Sequence, residues 1–255
     1  MAVASKKGRA QAARPFAQHS RLRRFWENFK ALLSALLFFI VLRTFVIEAY
    51  RIPSGSMIPS LLVGDWLFVN KFVYGPHIPF TERNLPGYRD PARSDVVVFK
   101  SPPQIDQPWD PNPTLVKRLV GVPGDTIFMR RAMLYVNGVP QPQPFPPPSA
   151  DEVFDSVDPL FAWQKPVGLK ASRFGAAPDQ PSHDNWGPLV VPDRHYFMMG
   201  DSRYNSKDSR YWSYVPRENI RGQPMFVYYA YDPDGDSVVP FITHIRWGRL
   251  GHWIN

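Results

Sequence analysis

Hydrophobic residues follow two different patterns in the two parts of the chain. Residues 31–42, "ALLSALLFFIVL", are almost all apolar, but twelve helical residues span only about 18 Å of a bilayer core of about 30 Å. A helix that begins at Phe25 reaches about 27 Å, with Trp26 near one interface and Arg43 able to extend to the other. The pattern therefore predicts one membrane-spanning helix within an anchor of residues 25–49.

Two alternatives to a membrane span are a buried amphipathic helix and a cleaved signal peptide. The signal peptide is disfavoured, because no small-x-small site follows the apolar run before "EAYRIPSGSM". The buried helix remains open from the sequence alone.

Beyond residue 50 the chain changes to short runs of β-branched and aromatic residues bounded by Pro, Gly and Asp, which is typical of strands. Asn137 and Gly138 after "MLYV" indicate a two-residue hairpin turn. The fold class is therefore mainly β, an antiparallel sheet domain with coiled excursions. We predict strands at residues 66–70, 95–99, 115–120, 126–130, 133–136, 195–199, 224–231 and 242–247.

Proline-dense stretches at residues 102–113 and 140–148 interrupt this domain. The second opens a polar, weakly patterned segment, so we predict a partly ordered insertion at about residues 138–190 that serves as a spacer rather than a binding site. The predicted organisation is a basic tail at residues 1–24, the anchor, and a β domain at residues 50–255.

The charge distribution places the chain at a membrane. The net charge of the 255 residues is +8, of which +7 lies in residues 1–30, so the rest of the chain is near neutral. A nearly neutral body argues against a nucleic-acid partner. Because basic residues that flank a membrane span stay on the cytoplasmic side, we expect the N-terminus in the cytoplasm and the β domain on the outer side. The chain would then be a single-pass protein of the cytoplasmic membrane, with the lipid bilayer as a partner.

The absence of cysteine excludes disulfides and a thiol nucleophile.

Residues 52–65, "IPSGSMIPSLLVGD", set Ser54 and Ser56 around Gly55 and raise the question of which base would activate a serine. His19 lies in the basic tail, and the other histidines form no recognisable triad pattern; these are His77, His183, His195, His244 and His252. A neutral lysine can replace histidine as the base.

Lys117 in "PTLVKRLVGVPGD" is a candidate base. Strand alternation places it on one face with Leu115 and Leu119, where loss of water favours the uncharged amine. A fall of its pKa by two to three from about 10.4 corresponds to roughly 3 to 4 kcal/mol, which a buried site can supply. The alternatives are a solvent-facing lysine with a packed stem, and a Ser56 that is only a turn hydroxyl.

A third stretch, residues 197–212 or "FMMGDSRYNSKDSRYW", completes an ordered set with "PSGSMIP" and "VKRLVGVPGD". After an N-terminal anchor, this set resembles the bacterial type I signal peptidases over residues 43–125 and 191–222, with a weaker similarity at "IRWGRLG". Ser60, Ser94 and Ser202 depart from the family pattern, which usually has Thr, Gly and Asn there.

The resemblance implies a serine endopeptidase that removes signal peptides of exported preproteins through an acyl-enzyme, without a metal or other cofactor. Ser56 would be the nucleophile, Lys117 its base, and Ser54 with the Ser56 backbone N–H the oxyanion hole. Supporting roles would fall to Ser206, Gly200, Asp201, Arg118, Asp208 and Arg210. Substrate would contact Tyr50, Ile52, Pro53, Met57, Leu61, Val98, Leu115 and Val116.

Two other functions stay open. A self-cleaving repressor uses the same Ser/Lys chemistry, but the apolar anchor argues against it. A tethered β domain that binds signal sequences without cutting them would keep the fold and lose the chemistry.

Overall fold

The structure, a computed structural model, describes residues 21–81, 83–142, 155–236 and 239–254. The chain divides into two compact units, Met1–Val41 and Leu42–Asn255. Most of the predicted basic tail, residues 1–20, lies outside the described residues.

The first unit contains one long helix, α1, at Arg21–Val41, and a π-helical turn at Leu42–Val46 opens the second unit. No Gly or Pro interrupts residues 21–46, so nothing in this stretch breaks a helix. The segment Arg23–Val46 has 24 residues, and an 18-residue window within it has a mean hydropathy of 2.0, so it is long and apolar enough to cross a bilayer. Its apolar side chains are exposed, as Leu32 at 69% illustrates, so the buried-helix alternative is wrong.

The second unit consists of two antiparallel sheets. A seven-stranded sheet has the order β1-β2-β11-β3-β4-β9-β10, and a four-stranded sheet has the order β7-β6-β5-β8. The strands are β1 Ile47–Arg51, β2 Asp65–Asn70, β3 Val96–Lys100, β4 Thr114–Gly121, β5 Thr126–Arg130, β6 Met133–Val136, β7 Val139–Pro140, β8 Trp186–Val190, β9 His195–Met199, β10 Val215–Pro216 and β11 Ile220–Ala230.

Seven of the eight predicted strands are confirmed within a few residues, and Asn137–Gly138 forms the predicted turn between β6 and β7. The strand predicted at residues 242–247 is wrong. A helical turn, α4 at Pro240–Thr243, occupies its start and a 3-10 turn lies at Trp247–Arg249. Pro240 begins α4, where its fixed φ favours a helix and its missing N–H costs nothing.

Four strands were not among those predicted, and two of them, β7 and β10, have only two residues each. β1 covers Ile47–Arg51, so residues 47–49 of the predicted anchor belong to the sheet. β8 covers Trp186–Val190, inside the predicted insertion, and pairs with β5.

Residues 155–190 are packed, whereas residues 143–154 of the predicted insertion lie outside the described residues. The packed part contains a 3-10 turn at Pro159–Trp163 and a helical turn, α2, at Gln164–Val167. Phe161 in the 3-10 turn is 1% exposed. This turn lies against α3 at Ser209–Trp212, which belongs to the stretch of residues 197–212.

Three hydrophobic clusters hold the sheets together. The first joins Ile52, Met57 and Leu61 to residues of β2, β3 and β11 and so fixes the serine stretch against the sheet. The second fills one face of β3, β4 and β9, and the third lies against the four-stranded sheet. The serine stretch and the lysine strand are thus both anchored in the core.

Candidate active site

Ser56 lies on a short turn, Gly55–Met57, that directly follows β1. The Ile52 N–H donates to the Asp65 carbonyl at 2.8 Å, which closes the base of the loop. Met57 is 1% exposed and anchors the turn from below, while the Ser56 carbonyl accepts the Ser202 N–H at 3.2 Å. Ser56 is therefore held from two sides and remains half-buried.

Ser54 precedes this turn in an extended conformation and is exposed. Its hydroxyl makes no capping hydrogen bond to the turn, so it stays available to a ligand.

Lys117 lies in β4, between β3 and β9, and pairs with Val97. It is 3% exposed, so the solvent-facing alternative is wrong. Burial lowers the pKa of its amine to about 8. The negative charge of Asp208 opposes this shift by raising the pKa, and the positive charge of Arg210 lowers it further. Strand β4 lies beside the turn Gly55–Met57, with Cα atoms within 8 Å, which brings the serine turn to the lysine strand.

Gly200 and Ser206 complete the cluster around Ser56. A β-carbon on Gly200 would overlap the Ser206 hydroxyl and would lie 2.5 Å from the Ser56 carbonyl oxygen. The Ser206 hydroxyl is buried and has no hydrogen-bond partner among the described residues. Because a buried hydroxyl without a partner is costly, this group is suited to bind a nearby polar group.

Asp208 and Arg210 form a wholly buried ion pair. The Arg210 Nε and Nη2 atoms donate to the two Asp208 oxygens at 2.8 Å each, and both side chains are 0% exposed. The pair is therefore a core ion pair rather than a surface one. Burial alone would raise the pKa of the Asp208 carboxyl, but the charge and hydrogen bonds of Arg210 outweigh it and hold that pKa low.

Asp201 and Arg118 form a second pair that ties three segments together. Arg118 donates to the two Asp201 oxygens at 2.7 and 2.8 Å, and the Ser60 hydroxyl donates to Asp201 at 2.6 Å. Arg118 also donates to the Ser94 carbonyl at 2.7 Å. Ser94 has a φ of 71°, in the left-handed region that favours glycine.

Several residues of the segment at 155–190 reach the buried pair, and the sequence interpretation did not assign them a role. Trp163 Nε1 and Gln164 Nε2 donate to the Arg210 carbonyl at 2.9 and 3.0 Å. His183 Nε2 lies 2.6 Å from Arg210 Nη1, and His183 Nδ1 lies 2.7 Å from Asp184 Oδ1. The only signal in the sequence was the polar stretch "SHDNW" beside an apolar strand.

Most residues expected to contact substrate lie together. Ile52, Met57, Leu61 and Val98 are buried in the first cluster, and Tyr50 and Val116 pack against it. Pro53 is exposed beside them. Leu115 packs against the second cluster instead, as strand alternation with Val116 requires.

Among residues 21–81, 83–142, 155–236 and 239–254, no group of three or more His, Asp or Glu side chains is placed to hold a metal ion. The chemistry available at this cluster is that of hydroxyls and one lysine amine.

Comparison with known proteins identifies the family of the chain. The family described as "Signal peptidase, peptidase S26" matches residues 25–229. The chain is 35% identical over 230 residues to signal peptidase I of Pseudomonas fluorescens and, at the same identity, of Pseudomonas aeruginosa, covering 85% of this chain and 76% of each relative. A crystal structure of a signal peptidase I from Enterococcus faecalis is 27% identical with a TM-score of 0.32, covering 53% of this chain and 97% of that one. The chain therefore belongs to the signal peptidase family, peptidase S26.

Proposed function

We propose that this protein is a membrane-anchored serine endopeptidase that removes signal peptides from exported preproteins, with Ser56 as nucleophile and Lys117 as general base. One observation carries the proposal. Lys117 is 3% exposed in a central strand beside the serine turn, and burial lowers its pKa to about 8. A lysine amine with this pKa is partly neutral at physiological pH and can accept a proton.

These positions support the following reaction. Neutral Lys117 takes the Ser56 hydroxyl proton as the oxygen attacks the scissile carbonyl. The Ser54 hydroxyl and the Ser56 backbone N–H donate to the developing oxyanion. Protonated Lys117 then gives its proton to the leaving amine, and an acyl-enzyme remains on Ser56. Lys117 next deprotonates a water molecule, which hydrolyses the acyl-enzyme and restores the serine.

Ser206 has a supporting role in this proposal. Its buried hydroxyl, without a partner among the described residues, would accept a hydrogen bond from the Lys117 amine and aim its lone pair at Ser56. Gly200 supports this role, because any side chain there would displace the Ser206 hydroxyl.

Substrate specificity would come from the first hydrophobic cluster. Ile52 and Val116 would separate two shallow apolar pockets, bounded by Tyr50 and Val98 on one side and by Met57 and Leu61 on the other. Such pockets admit small residues at the first and third positions before the cut and exclude large ones by overlap.

The proposed site of action is the outer surface of the cytoplasmic membrane. The helix Arg23–Val46 supports a lipid anchor, and the basic residues before it support a cytoplasmic N-terminus. Protease added outside spheroplasts should digest the β domain, and full protection would contradict this orientation.

A direct experiment tests the activity. The purified full-length chain is incubated in detergent with a preprotein, and the product is identified by N-terminal sequencing, with Ser56→Ala as the control. Cleavage at the end of the signal peptide that is lost in Ser56→Ala is expected. Tight binding of the preprotein without cleavage would favour the non-catalytic alternative.

A further inference from the structure

Arg210 makes hydrogen bonds beyond its pair with Asp208, and one of them is to a histidine side chain. Its guanidinium is 0% exposed, so every donor on it needs a partner. Nε and Nη2 donate to Asp208, and Nη2 also reaches the Arg203 carbonyl at 2.6 Å. Nη1 points to His183 Nε2 at 2.6 Å. Among the described residues, this histidine is the partner that satisfies Nη1.

The contact determines the protonation state of His183. A guanidinium is always a donor, so Nε2 must be the acceptor and cannot carry a hydrogen. The proton of the neutral ring therefore lies on Nδ1, which donates to Asp184 at 2.7 Å. The Arg203 carbonyl, which accepts from Arg210 Nη2 at 2.6 Å, also lies 2.9 Å from Nε2. With Nε2 as the acceptor for Arg210, His183 is the Nδ1–H tautomer, and Asp184 accepts the Nδ1–H.

The surroundings hold this histidine rigidly. The Tyr204 hydroxyl donates to Asp184 at 3.0 Å, and the Tyr204 ring stacks on the imidazole with 4.5 Å between centroids. The Asp184 backbone N–H donates to Asp155 at 2.9 Å. Both His183 and Asp184 are about 5% exposed.

The chain of contacts continues to the catalytic cluster. Asp208, held by Arg210, accepts the Gly200 N–H at 3.1 Å. Gly200 in turn lies against Ser206 and the Ser56 carbonyl. The charges of Asp208 and Arg210 also act on the Lys117 amine. A displacement of Arg210 would therefore move the loop that carries Ser206 and change the field at Lys117.

We propose that His183, fixed by Asp184 in its Nδ1–H tautomer, is a positioning residue for the Ser56/Lys117 reaction. It holds Arg210, and through Arg210 it holds Asp208 and the Gly200–Ser206 contact. This inference rests on the proposed peptidase function, and the parent enzyme with its Ser56→Ala variant tests that function separately.

The test compares two substitutions of the same histidine. His183→Ala removes the acceptor, and His183→Gln offers an amide oxygen to Arg210 Nη1. We expect kcat to fall about 10- to 100-fold in His183→Ala, because small displacements of a catalytic group cost rates of this order. KM should change little, because the substrate contacts lie in the first cluster. His183→Gln should recover most of the parent kcat.

The pH profile separates positioning from folding. His183→Ala should also shift the acid limb of kcat/KM, because the charges around Lys117 move, whereas His183→Gln should keep the parent limb. The folded fraction is measured at each pH and the rate is expressed per folded enzyme, so that a loss of folded enzyme does not imitate this shift. His195→Ala is the control and should keep both the rate and the profile, because the His195 ring bonds the Asp193 carbonyl and contacts Tyr214, not the Arg210 pair. A parent-like kcat and pH profile in His183→Ala would overturn the inference. A loss of kcat in His183→Gln as large as that in His183→Ala would overturn it as well.

If His183→Ala does not fold, two milder variants test the positioning role of His183 instead. Tyr204→Phe removes one hydrogen bond to Asp184 and keeps the ring stack, and Asp184→Asn no longer enforces the tautomer. Both should lower kcat, Asp184→Asn more strongly, and their combination should cost less than the product of the two because they act through one ring. A parent-like kcat in both variants would overturn the inference.

Discussion

Gly200 approaches Ser206 so closely that a β-carbon on Gly200 would overlap the Ser206 hydroxyl. The same β-carbon would lie 2.5 Å from the Ser56 carbonyl oxygen, a separation that real Cβ atoms do not adopt. The absence of a side chain at this one position thus lets the loop after β9 close against the serine turn.

Gly200→Ala should therefore separate the loop from the turn. We expect kcat/KM for preprotein cleavage to fall by about 10²-fold, with a modest loss of thermal stability. Gly248→Ala is the matched control, because a β-carbon there meets no atom within 4 Å, and its activity should equal that of the parent. Parent-like cleavage by Gly200→Ala would contradict the close contact.

Activity should depend on the neutral form of Lys117. Because its pKa is lowered to about 8, cleavage should rise with pH through about 8 and level off above it. Lys117→Arg should be inactive at every pH, since a guanidinium stays protonated. Combining it with Ser56→Ala should cost little more than either change alone. An active Lys117→Arg enzyme would return the search for the base to His195 or His244.

The buried lysine should reduce stability at neutral pH. Its folded pKa of about 8 lies below the unfolded value of about 10.4, so between these values the unfolded chain binds more protons and stability rises with pH. Lys117→Met removes this titration. We expect the variant to be more stable than the parent at pH 7, by about 1 to 3 kcal/mol.

Denaturant unfolding of both proteins from pH 7 to 10 measures this difference. The difference in the free energy of unfolding between Lys117→Met and the parent should narrow as the pH rises through the range between the folded and unfolded pKa values. A constant gap would show that the lysine does not titrate with a lowered pKa.

Ser54→Ala should slow cleavage without abolishing it. One oxyanion donor is typically worth about 10²- to 10³-fold in kcat, and the Ser56 N–H would remain. Ser172→Ala provides a control and should not affect the rate, because among the described residues that hydroxyl bonds to Phe174 and Gly175 of its own loop. A loss as large as that of Ser56→Ala would assign Ser54 a different role.

The preprotein residue immediately before the cleaved peptide bond should have to be small. The pocket that would receive it is bounded by the buried side chains of Met57 and Leu61, which leave no room for an aromatic ring without displacing the core. A preprotein with Phe at this position should be cleaved at least about 10²-fold more slowly than one with Ala. Competition between the two substrates measures the ratio, and equal cleavage would contradict the assignment.

The sequence predicted those parts of the site that depend on local pattern. Alternation along β4 correctly placed Lys117 between two leucines, and the structure confirms its burial. The strand at Ile47–Arg51 was missed, because the apolar run continues into it without a change in composition. The helical turn at Pro240–Thr243 was missed because its aromatic and β-branched residues are also typical of strands.

The contacts of His183 could not have been predicted from local pattern. Arg210 lies 27 residues away in the sequence, and only tertiary packing reveals that both are buried. The polar composition of residues 138–190 indicated a spacer, because hydrophobicity alone does not distinguish a buried polar network from a solvated loop.

The strand order has a consequence for when the enzyme can become active. The last strand, β11, lies between β2 and β3 and joins the half of the large sheet that leads to Ser56 to the half that carries Lys117. The nascent chain therefore cannot complete this sheet until residues 220–230 have been synthesised. If Ser56 and Lys117 act together as proposed, a shorter chain lacks the sheet that brings them together, so the order of the strands would delay proteolysis until β11 has been made.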